Sequence, residues 1–215
     1  MKKILLISFF TISFVFTLIN AQKTYNISQK KLDAINTKYG EKAKRRAEIW
    51  DKIIQNAKNK DILNKLKDVN DFWNKIKYRR DSAHWGQKDY WAAPFEFLGS
   101  GAGDCEDYAI AKYFSLRKLG IPENKLRITY VKLKRKRTKY EEAHMVLTYY
   151  HKPGATPIVL DNINKKLMLA TKRTDLRPVY SFNASGLWQA KNKGKTSIKV
   201  GKNNLKNWKK LMSRI

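Results

Sequence analysis

Cysteine is almost absent from this sequence, and its scarcity narrows what the chain can do. The 215 residues include one cysteine, Cys105, so no disulfide can form within the chain. Histidine is nearly as scarce, with three members, His84, His144 and His151. No zinc-finger spacing, RRM-like aromatic motif or basic leucine zipper occurs, so nothing in the sequence supports a nucleic-acid partner. A lone thiol therefore needs an explanation of its own.

Acidic residues are also few. Asp and Glu number 18 against 46 Lys and Arg, which gives a formal net charge of +28. The positive charge is spread along the chain, with one dense run at 132–139. It indicates either a lysine-rich solvated surface or electrostatic attraction toward an acidic macromolecule or an anionic membrane surface.

The N-terminus has the pattern of an export signal. Lys2 and Lys3 precede an apolar run at 4–19, and Ala21 offers a small residue for cleavage. The run is shorter than the roughly 20 residues of a comfortable membrane span. We expect residues 1–21 to be a cleaved signal peptide, which leaves no stable membrane span. An uncleaved N-terminal anchor is the alternative.

The order of predicted elements indicates an α+β domain. Apolar stripes at helical spacing predict two or three helices within 28–77, and residues 78–103 combine aromatics and glycines in a long structured loop. A helix is predicted over 104–119, with Asp104 as its N-cap and Gly120 at its end. An antiparallel sheet follows, with strand candidates at 126–133, 144–150, 156–162, 167–170 and 178–183.

Two units follow the signal in this interpretation. The main domain spans 22–190, and a basic tail spans 191–215. Within the tail, Leu205, Trp208 and Leu211 share one stripe of a predicted amphipathic helix.

The surroundings of Cys105 favour chemistry over packing. At the first turn of a helix, free backbone N–H groups and the helix dipole favour a thiolate, whereas the carboxylates of Asp104, Glu106 and Asp107 oppose it. A nucleophile here needs a further partner, most simply an imidazole. His144 begins a predicted strand, and Asp161 ends the apolar run of the next one. This order matches a cysteine hydrolase, in which an imidazole moves the proton and a carboxylate fixes its tautomer.

Other readings of the same residues stay open. His144 could be a strand histidine with a local hydrogen bond, and Asp161 a turn residue. The backbone N–H of Cys105 is a candidate donor to an oxyanion, and the indole N–H of Trp91 is a weaker one.

Four stretches carry a resemblance to a known family. They are "DYWAAPFEFLGSGAGDCEDYAIAKYFSLRKLGIPENKLRITYVK", "AHMVLTYY", "PIVLDNINKK" and "DLRPVYSFNASGLW". They resemble the bacterial transglutaminase-like cysteine proteinases from about residue 70 to residue 188. The G-D-C-E-D motif, followed in order by A-H-M-V-L and L-D-N, is specific. The resemblance implies a papain-like, transglutaminase-type core in which the nucleophile helix packs on an antiparallel sheet.

The resemblance also implies roles for particular residues. Cys105 matches the family's nucleophile, His144 its general base and Asp161 its orienting carboxylate. Calcium dependence is implied as well, with Asp104, Glu106 and Asp107 as the candidate ligands. The neighbouring carboxylates would repel one another unless a cation offset them. The alternative is that Asp104 and Asp107 only cap the helix.

The substrate and partner follow from the resemblance alone. It implies a periplasmic endopeptidase that cleaves a large secreted adhesin near its N-terminus and promotes biofilm dispersal. It also implies an inner-membrane cyclic di-GMP receptor that sequesters the protease. Two other functions remain open, namely transglutaminase-like acyl transfer to an amine and a basic binding module without catalysis.

Overall fold

The structure is a computed structural model that describes residues 27–135, 140–191 and 196–215. The predicted signal peptide at 1–21 and the second half of the basic run, at 136–139, lie outside the described residues. Within the described ranges, no helix combines the length and the apolar composition needed to cross a bilayer.

Three helices open the described chain, as the apolar stripes predict. They are α1 (Gln29–Tyr39), α2 (Glu41–Ala57) and α3 (Ile62–Trp73). The Ser28 hydroxyl accepts a hydrogen bond from the third residue of α1, and the Asp61 carboxylate caps α3 in the same way. Gly40 separates α1 from α2 with a φ of 82°, a left-handed conformation that favours glycine.

The segment predicted as a long loop contains regular structure. It holds β1 (Lys77–Tyr78), α4 (Asp81–His84), α5 (Pro94–Ser100) and β2 (Ala102–Gly103), with β1 and β2 paired in parallel. Pro94 begins α5 because its fixed φ suits the first helical position, where no hydrogen-bonded N–H is needed. The prediction of a long loop was therefore wrong at α4 and α5.

The helix α6 (Cys105–Lys118) is the centre of the fold. Asp104 is its N-cap, and the Asp107 carboxylate accepts the backbone N–H of Asp104. The indole N–H groups of Trp50 and Trp73 both donate to the Ser115 hydroxyl, at 2.9 Å each. These buried hydrogen bonds hold α2 and α3 against α6, and so they help to fix the position of the helix that begins at Cys105.

A seven-stranded antiparallel sheet follows. Its strands are β3 (Leu126–Lys134), β4 (Glu141–Tyr149), β5 (Ile158–Leu160), β6 (Met168–Leu169), β7 (Leu176–Phe182), β8 (Leu187–Lys191) and β9 (Thr196–Gly201). They lie in the order β6-β5-β4-β3-β7-β8-β9. One face, with Ile128 and Leu147, shares its core with α6, and the other carries a cluster of Val131, Val146 and Val159.

The C-terminal residues continue this domain. β9 pairs with β8, and the predicted division between residues 190 and 191 falls inside β8. The predicted amphipathic helix is α7 (Lys206–Met212), whose Trp208 and Leu211 are buried in the core. The Trp208 ring stacks on Phe114 and meets Phe182 edge-on.

Truncation of Trp208 tests how far α7 belongs to the domain. Trp208→Ala is expected to lower the free energy of unfolding by about 3 kcal/mol, because it opens a cavity beside α6 and β7. Urea denaturation followed by circular dichroism measures the change. Met212→Ala, on the exposed side of the same helix, is the matched control and should change stability by less than about 1 kcal/mol. Equal stability of both variants would mean that α7 docks without stabilising the domain.

Candidate active site

Cys105 lies half-buried at the first position of α6, facing the sheet. The backbone N–H of Met145 on β4 lowers the pKa of the Cys105 thiol slightly, against the larger effect of burial. Met145 directly follows His144, so the packing of α6 on β4 brings the thiol beside the strand that carries the histidine.

His144 and Asp161 form a buried pair. The His144 Nε2 atom lies 2.8 Å from Asp161 Oδ1, and both side chains are almost fully removed from solvent. Asp161 directly follows β5, which pairs with β4, so the two strands set the distance between these groups. With Nε2 bonded to the carboxylate, Nδ1 is the ring nitrogen left for proton exchange.

Asp161 is held by more than the histidine. The Arg173 Nη2 atom donates to its Oδ2 at 2.8 Å, and the backbone N–H of Ile163 donates to its Oδ1 at 3.0 Å. Its own backbone carbonyl accepts a hydrogen bond from the side chain of Asn74, the residue directly after α3. Burial alone would raise the pKa of Asp161, but the His144 hydrogen bond and the Arg173 charge hold it below its usual value. Asp161 is therefore an anion that accepts hydrogen bonds from fixed directions.

Sequence reasoning missed Arg173. Its side chain is buried and also binds Asp175, through Nε and Nη2. The sole local signal is the arginine and aspartate two residues apart at 173 and 175. Nothing in that spacing points to Asp161, because the contact depends on how the chain returns after β6.

An acidic cluster lies next to Cys105. Carboxylate oxygens approach within 4.8 Å of one another in two overlapping groups, Asp81 with Asp104 and Asp107, and Asp81 with Asp89 and Glu106. The predicted metal ligands Asp104, Glu106 and Asp107 all lie in this cluster. Asp81 and Asp89 were missed, because they lie in the segment 78–103, which was predicted as a loop and not as part of the site.

The carboxylates differ in how far they are already engaged. Asp107 accepts the backbone N–H groups of Ala92 and Asp104, at 2.8 and 3.2 Å, so its capping role is realised. By contrast, Asp81 Oδ1 and Asp104 Oδ1 are buried and have no hydrogen-bond donor among the described residues. Two unsatisfied buried acceptors facing further carboxylates fit a hard cation that takes oxygen ligands.

Burial and the crowding of negative charge raise the pKa of Asp81, Glu106 and Cys105. Burial raises the pKa of Asp81 to about 6, and Asp104 and Asp89 add to the rise. Burial and the Asp104 carboxyl raise the pKa of Glu106. Burial, with the Glu106 and Asp104 carboxylates, also raises the pKa of the Cys105 thiol well above its usual value. The thiol contacts Glu106 Oε2 at 3.1 Å. A bound cation would reverse these shifts.

The two candidate oxyanion donors differ in whether their N–H groups are already hydrogen-bonded. The Cys105 backbone N–H lies in the first turn of α6, where no helical acceptor is present. The Trp91 indole N–H donates to Asp89 Oδ1 at 3.0 Å, and its ring stacks on Phe182. Trp91 is thus a packed side chain that orients a member of the acidic cluster, and its indole is not free to bind an oxyanion.

A thiol at the start of a helix that packs on β4, together with a histidine of that strand paired with an aspartate, supplies the residue types that a cysteine hydrolase needs. Residues 29–194 match the sequence profile of the bacterial transglutaminase-like cysteine proteinases. The chain belongs to this family, which confirms the resemblance and the α+β, papain-like fold class.

Solved structures of one relative superpose on most of the chain. LapG of Legionella pneumophila, treated with EGTA, shares 39% sequence identity, with 87% of this chain and 97% of that chain covered and a TM-score of 0.75. Calcium-bound LapG of the same organism also shares 39% identity, with 87% and 99% covered and a TM-score of 0.73. No curated protein sequence matched the chain.

Proposed function

We propose that this protein is a calcium-dependent cysteine endopeptidase in which Cys105 is the nucleophile. The observation that carries the proposal is the buried 2.8 Å contact of His144 Nε2 with Asp161, on the strand beside the Cys105 thiol. Membership of a cysteine proteinase family supports it.

Each residue has a defined task in this mechanism. His144 accepts the Cys105 proton at Nδ1, and the thiolate attacks the scissile carbonyl carbon to form an acyl-enzyme. The imidazolium then gives its proton to the departing amine, and Asp161 stabilises the charged ring and keeps Nε2–H as its donor. The Cys105 backbone N–H hydrogen-bonds to the carbonyl oxygen as negative charge develops. Water, deprotonated by His144, hydrolyses the thioester and restores the thiol.

Calcium is assigned to the acidic cluster. Asp81, Asp89, Asp104 and Glu106 would hold the ion, with Asp107 fixing the backbone around them. When bound, the ion supplies positive charge that offsets the carboxylates around the thiol. Support comes from the unsatisfied oxygens of Asp81 and Asp104 and from the calcium-bound state of the relative LapG.

The substrate that we propose is a large secreted adhesin, cut near its N-terminus in the periplasm. Its release would promote biofilm dispersal, and an inner-membrane cyclic di-GMP receptor would sequester the protease. The net charge of +28 suits an acidic substrate. The predicted export signal at 1–21 suits the location.

Acyl transfer to an amine uses the same thioester and is the second candidate. Only the peptidase shortens its substrate, so product analysis separates the two reactions. A basic binding module without catalysis would leave the substrate intact.

The test is cleavage of the N-terminal segment of the large adhesin encoded in the same genome, with calcium or with a chelator. We expect one cut with calcium and none with the chelator, together with a rise in the melting temperature when calcium binds. Asp104→Asn should remove most of both effects, because it replaces one oxygen ligand and one charge. Asp33→Asn, on exposed α1, is the matched control and should behave as wild type. Chelator-resistant cleavage would exclude the calcium assignment, and an uncut segment would exclude the substrate.

A further inference from the structure

The sheet face opposite α6 carries a cavity of about 700 Å³. Its floor is the valine cluster of Val131, Val146 and Val159. Thr129 on β3 and Thr148 on β4 also line the cavity. The volume is within the range of small-molecule sites. The cavity is separate from the cleft of Cys105, because that residue and the acidic cluster do not line it.

Charge in this cavity is of one sign. Among the described residues that line it, Arg127 and Arg173 are the charged ones, and there is no Asp or Glu. Arg173 is already paired with Asp161 and Asp175. Arg127 is the guanidinium left without a carboxylate.

The Arg127 guanidinium is also better positioned than that of Arg173 to bind a ligand. Its guanidinium is held between the rings of Tyr150 and Trp188, at 4.7 and 4.1 Å from their centroids. Nη1 donates to the Ser197 hydroxyl, and Nε is buried without an acceptor among the described residues. Two rings and one hydroxyl thus fix the group in place, so little side-chain entropy remains to be lost on binding.

No acidic side chain of the chain is positioned to neutralise Arg127. Within the described residues no ion pair joins it to an Asp or a Glu. The sequence stretches outside those residues, 1–26, 136–139 and 192–195, contain neither residue type. Arg127 is therefore a half-buried guanidinium with an unsatisfied N–H in a cavity that has no carboxylate. Such a group can donate a charge-assisted hydrogen bond to an anion.

We propose that the cavity binds an anionic ligand, whose carboxylate or phosphate oxygens meet Arg127 while its apolar body lies on the valine floor. The same chemistry could come from a small free anion or from a glutamate or aspartate side chain of a peptide. The proposal does not depend on the peptidase mechanism, and binding is measured without turnover.

Isothermal titration calorimetry tests the proposal with two probes at fixed ionic strength. One probe is the small dicarboxylate pimelate, and the other is a blocked peptide with two glutamates separated by valines. We expect saturable one-to-one binding of at least one probe, and about tenfold weaker binding to Arg127→Gln, which loses the charged donor. Binding of pimelate alone identifies a small anion as the ligand, and binding of the peptide alone identifies an acidic segment.

Two further variants keep the result interpretable. Arg45→Gln, on the exposed face of α2, makes the same change in net charge far from the cavity and should bind as wild type. Thr171→Trp, at the exposed rim, should block entry while leaving Arg127 in place. If neither probe shows saturable binding, the proposal is wrong. It is also wrong if the wild type and Arg127→Gln bind the probe with equal affinity.

Discussion

Replacing Cys105 with alanine is expected to abolish proteolysis by this chain while leaving its fold intact. The side chain is small and only half-buried against the core at the helix start, so the loss of its sulfur should leave α6 in place. The rate of cleavage should fall by at least about 10,000-fold, because no other residue can form the thioester. Cleavage of the adhesin segment, followed on gels with calcium present, measures the loss, and circular dichroism checks the fold.

The uniqueness of Cys105 makes a second measurement possible. Iodoacetamide can add at one thiol only, so loss of wild-type activity should run in parallel with the appearance of a singly modified protein in mass spectra. The Cys105→Ala variant is the blank for this labelling. Full activity in a fully alkylated sample would exclude Cys105 as the nucleophile.

The elements of the fold could be predicted from the sequence where the pattern is local. Apolar residues at helical spacing identify α2 and α3, and alternation identifies β3 and β4. The short helix α5 was missed because its proline reads as a break unless its position at the helix start is known. β8 and β9 were missed too, since β8 is only partly buried and β9 is a fully exposed edge strand with two apolar residues, Ile198 and Val200.

The site was predictable in part for the same reason. Cys105 begins a recognisable helix, His144 lies in a recognisable strand and Asp161 follows the next one, so their order along the chain suggests a shared site. Their catalytic roles stay predictions. Arg173 and Asp81 come from segments without a periodic pattern, and their contacts with the site depend on chain reversals that no local spacing encodes.

Exchange of Asp161 for asparagine should have the second large effect, a loss in kcat of about 1,000- to 10,000-fold. The size of the loss follows from the donors around the carboxylate. The charged Arg173 Nη2 and the backbone N–H of Asn164 donate to Oδ2, which outweighs the single backbone N–H of Ile163 at Oδ1. The asparagine carbonyl oxygen would therefore turn toward Arg173, and its NH₂ group would face His144 Nε2. His144 must then accept at Nε2 and carry its proton on Nδ1, the nitrogen that has to receive the thiol proton.

Two further measurements distinguish a change in the His144 tautomer from a simple loss of structure. The Asp161→Asn variant should keep KM within about threefold of wild type, since Asp161 is buried and does not contact substrate. It should also keep the calcium-dependent rise in melting temperature, because Asp161 is not one of the carboxylates of the acidic cluster. Asp175→Asn is the matched control, since Asp175 pairs with the same Arg173 but does not contact His144, and it should retain at least about a tenth of wild-type kcat. If both variants lost activity equally, the role of Asp161 would be to neutralise Arg173, and the tautomer of His144 would have to be set by another group.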